Sequence, residues 1–242
     1  MNFVDAGRIW TEYKNTEVNL TISPKDDMYQ SGPSFYFTIG AQGVEAILRG
    51  LVTSPIQSVS RVLDVGCNWG RTGRHLRAAF HRAELYFQDI TQGALFCAET
   101  FNGTPIISRK EIDEIPLPNN IDVVWAGSLF THFDEQRTRN WLAGLATHLS
   151  PGGVIVATFH GQRAYENLSK GKRPKWSLQT WPKAEENGYG YVPYEESTPE
   201  WGHSMCKVWK LGQIADEVPL CRVGSITEAG WGPHDVLTLV RV

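Results

Sequence analysis

The sequence is short of cysteine, has no excess of basic residues and contains no long hydrophobic run. Its four cysteines among 242 residues lack zinc or dithiol spacing, which argues against a disulfide framework and favours a reduced, cytoplasmic setting. A net charge of −3 gives no general attraction to nucleic acid or to an anionic membrane. No apolar run is long enough to cross a bilayer, and the first residues lack a signal-peptide pattern. We therefore expect a cytoplasmic protein with no nucleic-acid partner, no membrane span and no metal ion.

The middle of the chain alternates β-rich apolar runs with helical patterns, which predicts a parallel sheet built from βαβ units. The predicted strands are Arg61–Val65, Glu84–Gln88, Pro105–Ser108, Ile121–Ala126, Val154–Phe159, Cys221–Ile226 and Asp235–Val240. The predicted helices are one around 44–51, Arg71–Phe80, Thr91–Phe101 capped by Thr91, one capped by Asp134 and stopped by 150–153, and a last one capped by Ser204.

We divide this single domain into an N-terminal cap and helix (1–57), a core (58–160), an insertion (161–205), and a C-terminal helix with strands (206–242). Residues 1–40 look irregular, and the insertion shows no clean period. The insertion also carries a basic cluster, which we interpret as a solvated loop: Lys170, Lys172, Arg173 and Lys175.

The most informative stretch runs from Val62 to Arg71, where an apolar strand ends in an acid and glycines turn the chain into a helix. Glycine lets a ligand approach the backbone, and the helix start offers free N–H groups. The loop lies at the carboxyl edge of the sheet, where open α/β sheets bind ligands. A second acid, Asp89, ends the next strand and is placed to accept hydrogen bonds from the two hydroxyls of a ribose.

The run Leu63–Gly70 resembles the first motif of class I S-adenosylmethionine-dependent methyltransferases. Asp89 resembles that family's ribose-binding acid, and segments 122–132 and 149–153 resemble its fourth-strand and fifth-strand regions. The resemblance implies a Rossmann-like α/β fold: a seven-stranded, mostly parallel sheet flanked by helices, with the last strand antiparallel and inserted between its two predecessors. It also implies an N-terminal cap, an aromatic-rich insertion after the fifth strand, and S-adenosyl-L-methionine as the cofactor.

The same resemblance implies a set of cofactor-binding residues, with Tyr36 supplied by the cap: Asp64, Gly66, Cys67, Asn68, Gly70, Asp89, Ile90, Ser108, Ala126 and Tyr36. Two positions depart from the family pattern. Asn68 stands where glycine is usual, although asparagine tolerates the positive φ such a turn requires. Ser108 stands near the point where an acid or amide commonly reads adenine, with Glu111 and Asp113 slightly later, so the adenine contact stays open.

Two other interpretations of the glycine loop compete with this one. It could be a strand–helix turn that binds no nucleotide, but then several matched segments would all be accidental. A dinucleotide-dependent oxidoreductase would want G-x-G-x-x-G, whereas this loop offers Gly66, Gly70 and Gly73.

A hydroxyl acceptor must lose a proton when it is methylated, and a neutral histidine suits that role near pH 7. Of the seven histidines, His132 follows the fourth strand, His160 ends the fifth and His203 lies in the insertion, so these three are the catalytic candidates. Each has a structural alternative, such as bracing a loop. His234 is interpreted as structural, and His75, His81 and His148 receive no role.

The insertion holds seven aromatic rings that suit a sugar or an aromatic acceptor, or else form a small core of their own: Tyr165, Trp176, Trp181, Tyr189, Tyr191, Tyr194 and Trp201. The runs 128–132 and 158–161 resemble bacterial methyltransferases associated with surface glycans and secondary metabolites. We therefore expect methyl transfer to a small molecule, with a sugar or glycoconjugate hydroxyl favoured. The alternatives are a protein or nucleic-acid methyltransferase and a non-catalytic binding or structural module of the same fold.

Overall fold

The computed structural model describes residues 4–168, 170 and 174–242, so Lys172 and Arg173 of the predicted basic loop lie outside the described residues. A seven-stranded sheet has the strand order β3-β2-β1-β4-β5-β9-β8. Its strands are β1 (Arg61–Val65), β2 (Glu84–Asp89), β3 (Thr104–Ile107), β4 (Ile121–Ala126), β5 (Leu149–His160), β8 (Cys221–Trp231) and β9 (His234–Arg241). A separate hairpin pairs β6 (Tyr189–Pro193) with β7 (Gly202–Cys206).

The direction of the strands matches the predicted fold. Strand β1 pairs in parallel with β2 and β4, and β5 continues the parallel order beside β4. The last strand, β9, runs antiparallel to both neighbours and lies between β5 and β8. The predicted Rossmann-like sheet, with its last strand inserted antiparallel, is therefore confirmed.

Eight α-helices are assigned in the described residues: α1 (Ala6–Lys14), α2 (Pro33–Leu51), α3 (Gly73–Ala79), α4 (Gly93–Phe101), α5 (Glu135–His148), α6 (Gln162–Leu168), α7 (Lys175–Asn187) and α8 (Val208–Asp216). Asp134 caps α5 as predicted, since its carboxylate accepts the backbone N–H of Arg137. The cap position of α4 is Gln92 rather than Thr91, although the Thr91 hydroxyl still accepts the N–H of Gly93 at 3.0 Å.

Three expectations about local structure were wrong. Residues 1–40 are not wholly irregular, because α1 and the first part of α2 lie there. The insertion is not structureless either, since it contains α6, α7 and the β6–β7 hairpin. Ser204 caps no helix: it lies within β7, its hydroxyl donates to the Phe130 carbonyl, and α8 begins at Val208.

Within the described residues, the hydrophobic core has two large parts, one on each face of the sheet, and a small third cluster in the insertion around Trp181, Ala184 and Met205. On one face α1, α2, α3 and α4 pack over residues such as Val62 and Trp125. On the other face α5, α8 and the β6–β7 hairpin cover residues such as Leu63 and Val124. None of the helices in the described part of the chain is both long and apolar enough to span a membrane. Packing on both faces leaves the carboxyl edge of the parallel strands as the open side of the sheet.

Candidate functional site

A cavity of about 510 Å³ opens at the carboxyl ends of β1, β2 and β4. Its floor is the loop after β1, and its walls come from the N-terminal cap, the loop after β4 and the turn between β8 and β9. Residues from all four regions line it, including Met28, Cys67, Leu129 and Trp231. The motif predicted from the sequence and four tryptophan side chains therefore line one cavity: Trp125, Trp141, Trp201 and Trp231.

The loop after β1 takes the conformation that its residue types predict. Gly66 and Gly70 have φ of 70° and 81°, and Asn68 has φ of 47°. Asparagine is among the few residues with a side chain that enter this region readily, so the turn survives the departure from glycine. At Gly70 a Cβ atom would also come within 2.3 Å of the Phe101 ring, so close packing requires glycine there.

The Asp89 carboxylate holds this loop from the neighbouring strand. One oxygen, Oδ2, accepts the backbone N–H of Asn68 at 2.7 Å. The other, Oδ1, accepts the N–H and the hydroxyl of Thr91 at 2.8 and 2.7 Å. Asp89 lines the cavity, and three of the four acceptor positions of its carboxylate are filled, which leaves one on Oδ2, so the ribose role stays a prediction.

Three buried polar atoms in the cavity wall have no hydrogen-bond partner among the residues that the structure describes: Asp64 Oδ2, Arg71 Nε and Trp141 Nε1. Buried polar atoms without partners are costly, and they commonly mark a place where a ligand supplies the partner. The residues that carry these three atoms, Asp64, Arg71 and Trp141, line the cavity, while the atoms themselves are buried.

Burial shifts the pKa of both ionisable residues in this set, Asp64 and Arg71, toward the uncharged form. Burial, with the nearby negative charge of Asp89, raises the pKa of Asp64 from 3.8 to about 8, while Arg71 acts in the opposite direction. Burial also lowers the pKa of Arg71, whose guanidinium carbon lies 5.3 Å from the centre of the Trp231 ring. Arg71 has no ion-pair partner within the described ranges, so both groups would gain from a ligand carrying an ammonium and a carboxylate.

The other predicted cofactor residues divide into those in the wall and those behind it. Ile90 and Ser108 line the cavity, but the Ser108 hydroxyl is already engaged, since it donates to the Arg109 carbonyl and accepts from Gln88. Gly70, Ala126 and Tyr36 lie outside the cavity wall. The Tyr36 hydroxyl instead donates to Asp26 at 2.5 Å within the cap.

The structure places one of the three candidate histidines in the cavity wall. His132 ends a 3₁₀ turn, Leu129–His132, that follows β4. His160 and His203 lie outside the wall, and both rings stack on Trp176 of the insertion, at centroid distances of 5.6 and 4.2 Å. Burial lowers the pKa of His160 and of His203 to about 4, and it also lowers the pKa of His132.

Sequence reasoning missed several residues that line the cavity. His234, interpreted as structural, lies in the wall beside Trp231 and 4.6 Å from the His160 ring, and burial lowers its pKa. Arg71 was visible in the motif but received no role. Of the seven insertion aromatics, Trp201 lines the cavity, and the other six lie outside its wall.

Within the described residues, no group of three or more His, Cys, Asp or Glu side chains is arranged to hold a metal ion.

Residues 63–155 match the family model of a methyltransferase domain. No curated protein sequence matches the chain.

Many solved structures share its fold. A provisionally assigned O-methyltransferase from Nostoc punctiforme is 13% identical, with a TM-score of 0.55, over 98% of this chain and 66% of the other. An S-adenosylmethionine-dependent methyltransferase from Clostridium acetobutylicum is 10% identical, with a TM-score of 0.56, over 89% and 94%. The magnesium protoporphyrin IX methyltransferase of Synechocystis, solved with S-adenosylhomocysteine, is 12% identical, with a TM-score of 0.55, over 98% and 94%. The predicted resemblance to a methyltransferase domain is confirmed for residues 63–155, and the solved structures confirm the predicted fold.

Proposed function

We propose that this class I methyltransferase-fold protein transfers the methyl group of S-adenosylmethionine to a hydroxyl of a small molecule, with a sugar or glycoconjugate as the favoured acceptor. The observation that carries the proposal is the set of buried, unpartnered polar atoms on residues that line one cavity, above all Asp64 Oδ2 and Arg71 Nε. A cytoplasmic location, predicted from the cysteine content, belongs to the same proposal.

The residues present fit this cofactor. Asp64 would hold the ammonium of its amino-acid end and Arg71 the carboxylate, so that each buried atom gains an oppositely charged partner. Asp89 would accept from a ribose hydroxyl at the free position on Oδ2, and Ile90, which is 59% exposed at the cavity, would cover a face of the adenine. When bound, S-adenosylmethionine supplies a methyl group already activated by a positively charged sulfur.

The remaining wall of the cavity suits an acceptor with a flat or partly apolar face. Trp125 and Trp231 meet edge to face with centroids 5.4 Å apart, and Trp201 comes from the insertion. Such rings exclude water and orient an acceptor, which is what an in-line transfer requires of the protein. The same surfaces suit a sugar or an aromatic alcohol, and the resemblance in segments 128–132 and 158–161 favours the sugar.

His132 is the candidate general base because it lies in the wall and its pKa is lowered by burial. A histidine with a lowered pKa is neutral at pH 7 and offers a lone pair. His132 would take the proton from the acceptor hydroxyl as the oxygen bonds to the methyl carbon. A base in this position contributes about 100-fold or more to the rate.

The experiment combines calorimetry with a methyl-transfer assay on sugars, nucleotide-linked sugars and phenols. We expect S-adenosylhomocysteine to bind and at least one hydroxyl compound to be methylated. The variant His132→Ala should lose about 100-fold in kcat and keep its affinity for S-adenosylhomocysteine, whereas the exposed control His81→Ala should keep both. Binding without product from any acceptor would favour the non-catalytic alternative, and absence of binding would overturn the proposal.

A further inference from the structure

The β6–β7 hairpin reaches the candidate base through Tyr194, the first residue after β6. The Tyr194 hydroxyl contacts Nδ1 of His132, on the side of the ring that faces the hairpin. The same nitrogen lies 3.4 Å from the carbonyl oxygen of Gly202, the first residue of β7. One residue next to β6 and one residue of β7 therefore contact the same nitrogen of the candidate base.

These two contacts together select one tautomer of the neutral ring. A carbonyl oxygen only accepts, so the Gly202 contact is attractive when Nδ1 carries the proton and repulsive when it carries the lone pair. A phenol oxygen accepts as well as donates, so Tyr194 is compatible with a protonated Nδ1. The tautomer that satisfies both contacts has Nδ1–H toward the hairpin, which leaves the Nε2 lone pair for the cavity that His132 lines.

We propose that Tyr194, with the Gly202 carbonyl, is the positioning element that holds His132 in the Nδ1–H tautomer with Nε2 free for the acceptor hydroxyl. This inference rests on the proposed function, because it assigns a catalytic purpose to the tautomer. Once His132 has taken a proton, the same two oxygens still accept from Nδ1–H and stabilise the imidazolium. Tyr194 thus acts through His132 and touches no reacting atom.

The hairpin is held so that this contact is defined. The backbone N–H of Tyr194 donates to the Trp201 carbonyl at 2.9 Å, which closes the tip of the hairpin. The Tyr194 ring packs edge-on against His203 at 4.7 Å, and His203 stacks on Trp176 at 4.2 Å. The aromatic residues of the insertion therefore form a support behind His132, in addition to supplying Trp201 to the cavity.

The charges that face His132 do not obscure a titration. The ionisable groups around His132 include Tyr194 and three histidines. Burial lowers the pKa of all three histidines: His160, His203 and His234. The pKa values of His160 and His203 are about 4, and burial raises the pKa of Tyr194. Between pH 5 and 8 these neighbours keep one charge state, whereas burial raises the pKa of Asp235 to about 6 and that of Asp64 to about 8. The protonation of His132 is therefore followed by the nitrogen signals of its own ring.

The test compares the full-length protein with Tyr194→Phe and with the control Tyr191→Phe. Tyr191 lies on the same hairpin, but its hydroxyl donates to the Pro199 carbonyl at 2.7 Å and does not reach His132. Nitrogen NMR of protein with 15N-labelled histidine reports the tautomer, and it requires no methyl acceptor. The signals that disappear in His132→Gln are those of His132. We expect the Nδ1–H tautomer in the unsubstituted protein and in Tyr191→Phe. In Tyr194→Phe we expect a smaller share of it, because only the longer contact, 3.4 Å to the Gly202 carbonyl, remains to accept from Nδ1–H.

Kinetics supply the second arm of the test. Tyr194→Phe should lower kcat about 10-fold, leave the KM for S-adenosylmethionine unchanged, and move the acidic limb of the rate profile to lower pH, because the imidazolium loses an acceptor. Tyr191→Phe should change none of these. The inference is overturned if His132 is the Nε2–H tautomer in the unsubstituted protein, or if both variants behave alike. Loss of the proposed function is a separate result, since a protein with no methyl transfer would still display the tautomer.

Discussion

The proposed role of the buried Asp64 carboxyl predicts that cofactor binding releases a proton. Its Oδ2 atom has no partner in the described residues, and burial together with Asp89 raises its pKa to about 8. At pH 7 a group of that pKa is protonated in roughly 0.9 of the molecules. An ammonium placed at Oδ2 favours the carboxylate, so the proton must leave as the ligand binds.

Calorimetry of S-adenosylhomocysteine binding at pH 7 measures this directly. The observed enthalpy, compared between phosphate and Tris buffers, gives the number of protons released. We expect the unsubstituted protein to release about 0.9 proton more than Asp64→Asn, because asparagine cannot ionise. The same substitution should weaken binding by at least 10-fold, since it removes a charged partner of the ammonium. Equal proton release by the two proteins would refute the assignment of Asp64 to the ammonium.

The same pKa shift makes a prediction about the ligand-free protein. The folded pKa of about 8 lies above the ordinary value of 3.8, so ionisation of Asp64 favours the unfolded chain at any pH above 3.8. Asp64→Asn should therefore raise the free energy of unfolding, by up to about 4 kcal/mol at pH 7 and about 2 kcal/mol at pH 5. Urea unfolding at the two pH values measures the difference. A gain of equal size at both would show that the carboxyl is not perturbed in the folded state.

Three further predictions concern the loop and its charged neighbour. Gly93→Ala should weaken S-adenosylhomocysteine binding by at least 10-fold, because its Cβ would lie 2.0 Å from the Asn68 carbonyl oxygen, whereas Gly7→Ala, with 3.4 Å of clearance to Asp5, should not. Asn68→Gly should keep binding and stability, whereas Asn68→Val should cost about 1–3 kcal/mol in urea unfolding because of its positive φ. Arg71→Gln should weaken S-adenosylhomocysteine binding about 10-fold but leave 5′-methylthioadenosine, which lacks the carboxylate, unaffected. Equal losses with both ligands would remove Arg71 from the carboxylate role.

The parts of the fold that were predicted well are those whose signals are local. Strands β1 and β4 begin and end at the predicted residues, because buried strands in the centre of a parallel sheet are rich in apolar residues and these runs are short and sharply bounded. The cap helix α1 was missed because it buries only two residues, Ile9 and Tyr13, which is too sparse a pattern for a helical period. Helix α7 was missed because Pro182 lies inside it, where proline normally indicates an end.

In the candidate site, too, the residues with local sequence signals were predicted and those that depend on long-range contacts were not. Asp64, Asn68 and Asp89 were identified because the motif places them at strand ends, which the sheet then brings to one edge. The contact between Tyr194 and His132 joins residues 62 positions apart. It depends on how the insertion packs against the loop after β4, so no local sequence pattern predicts it. Long-range side-chain partners of this kind come from tertiary packing rather than from sequence spacing.

The insertion has two proposed roles in this arrangement, and a displacement of its tip would affect both, whereas loss of the Tyr194 hydroxyl alone would affect only the contact with His132. Residues of the β6–β7 hairpin contribute both a ring to the cavity wall, Trp201, and the contact that orients His132. Tyr194 and Trp201 are joined by a backbone hydrogen bond, so a displacement of one moves the other. A change in the hairpin that enlarges the cavity for a bulkier acceptor would therefore also disturb the base. Acceptor specificity and kcat should change together in such variants, whereas affinity for S-adenosylhomocysteine, which depends on the β1 and β2 edge, should not.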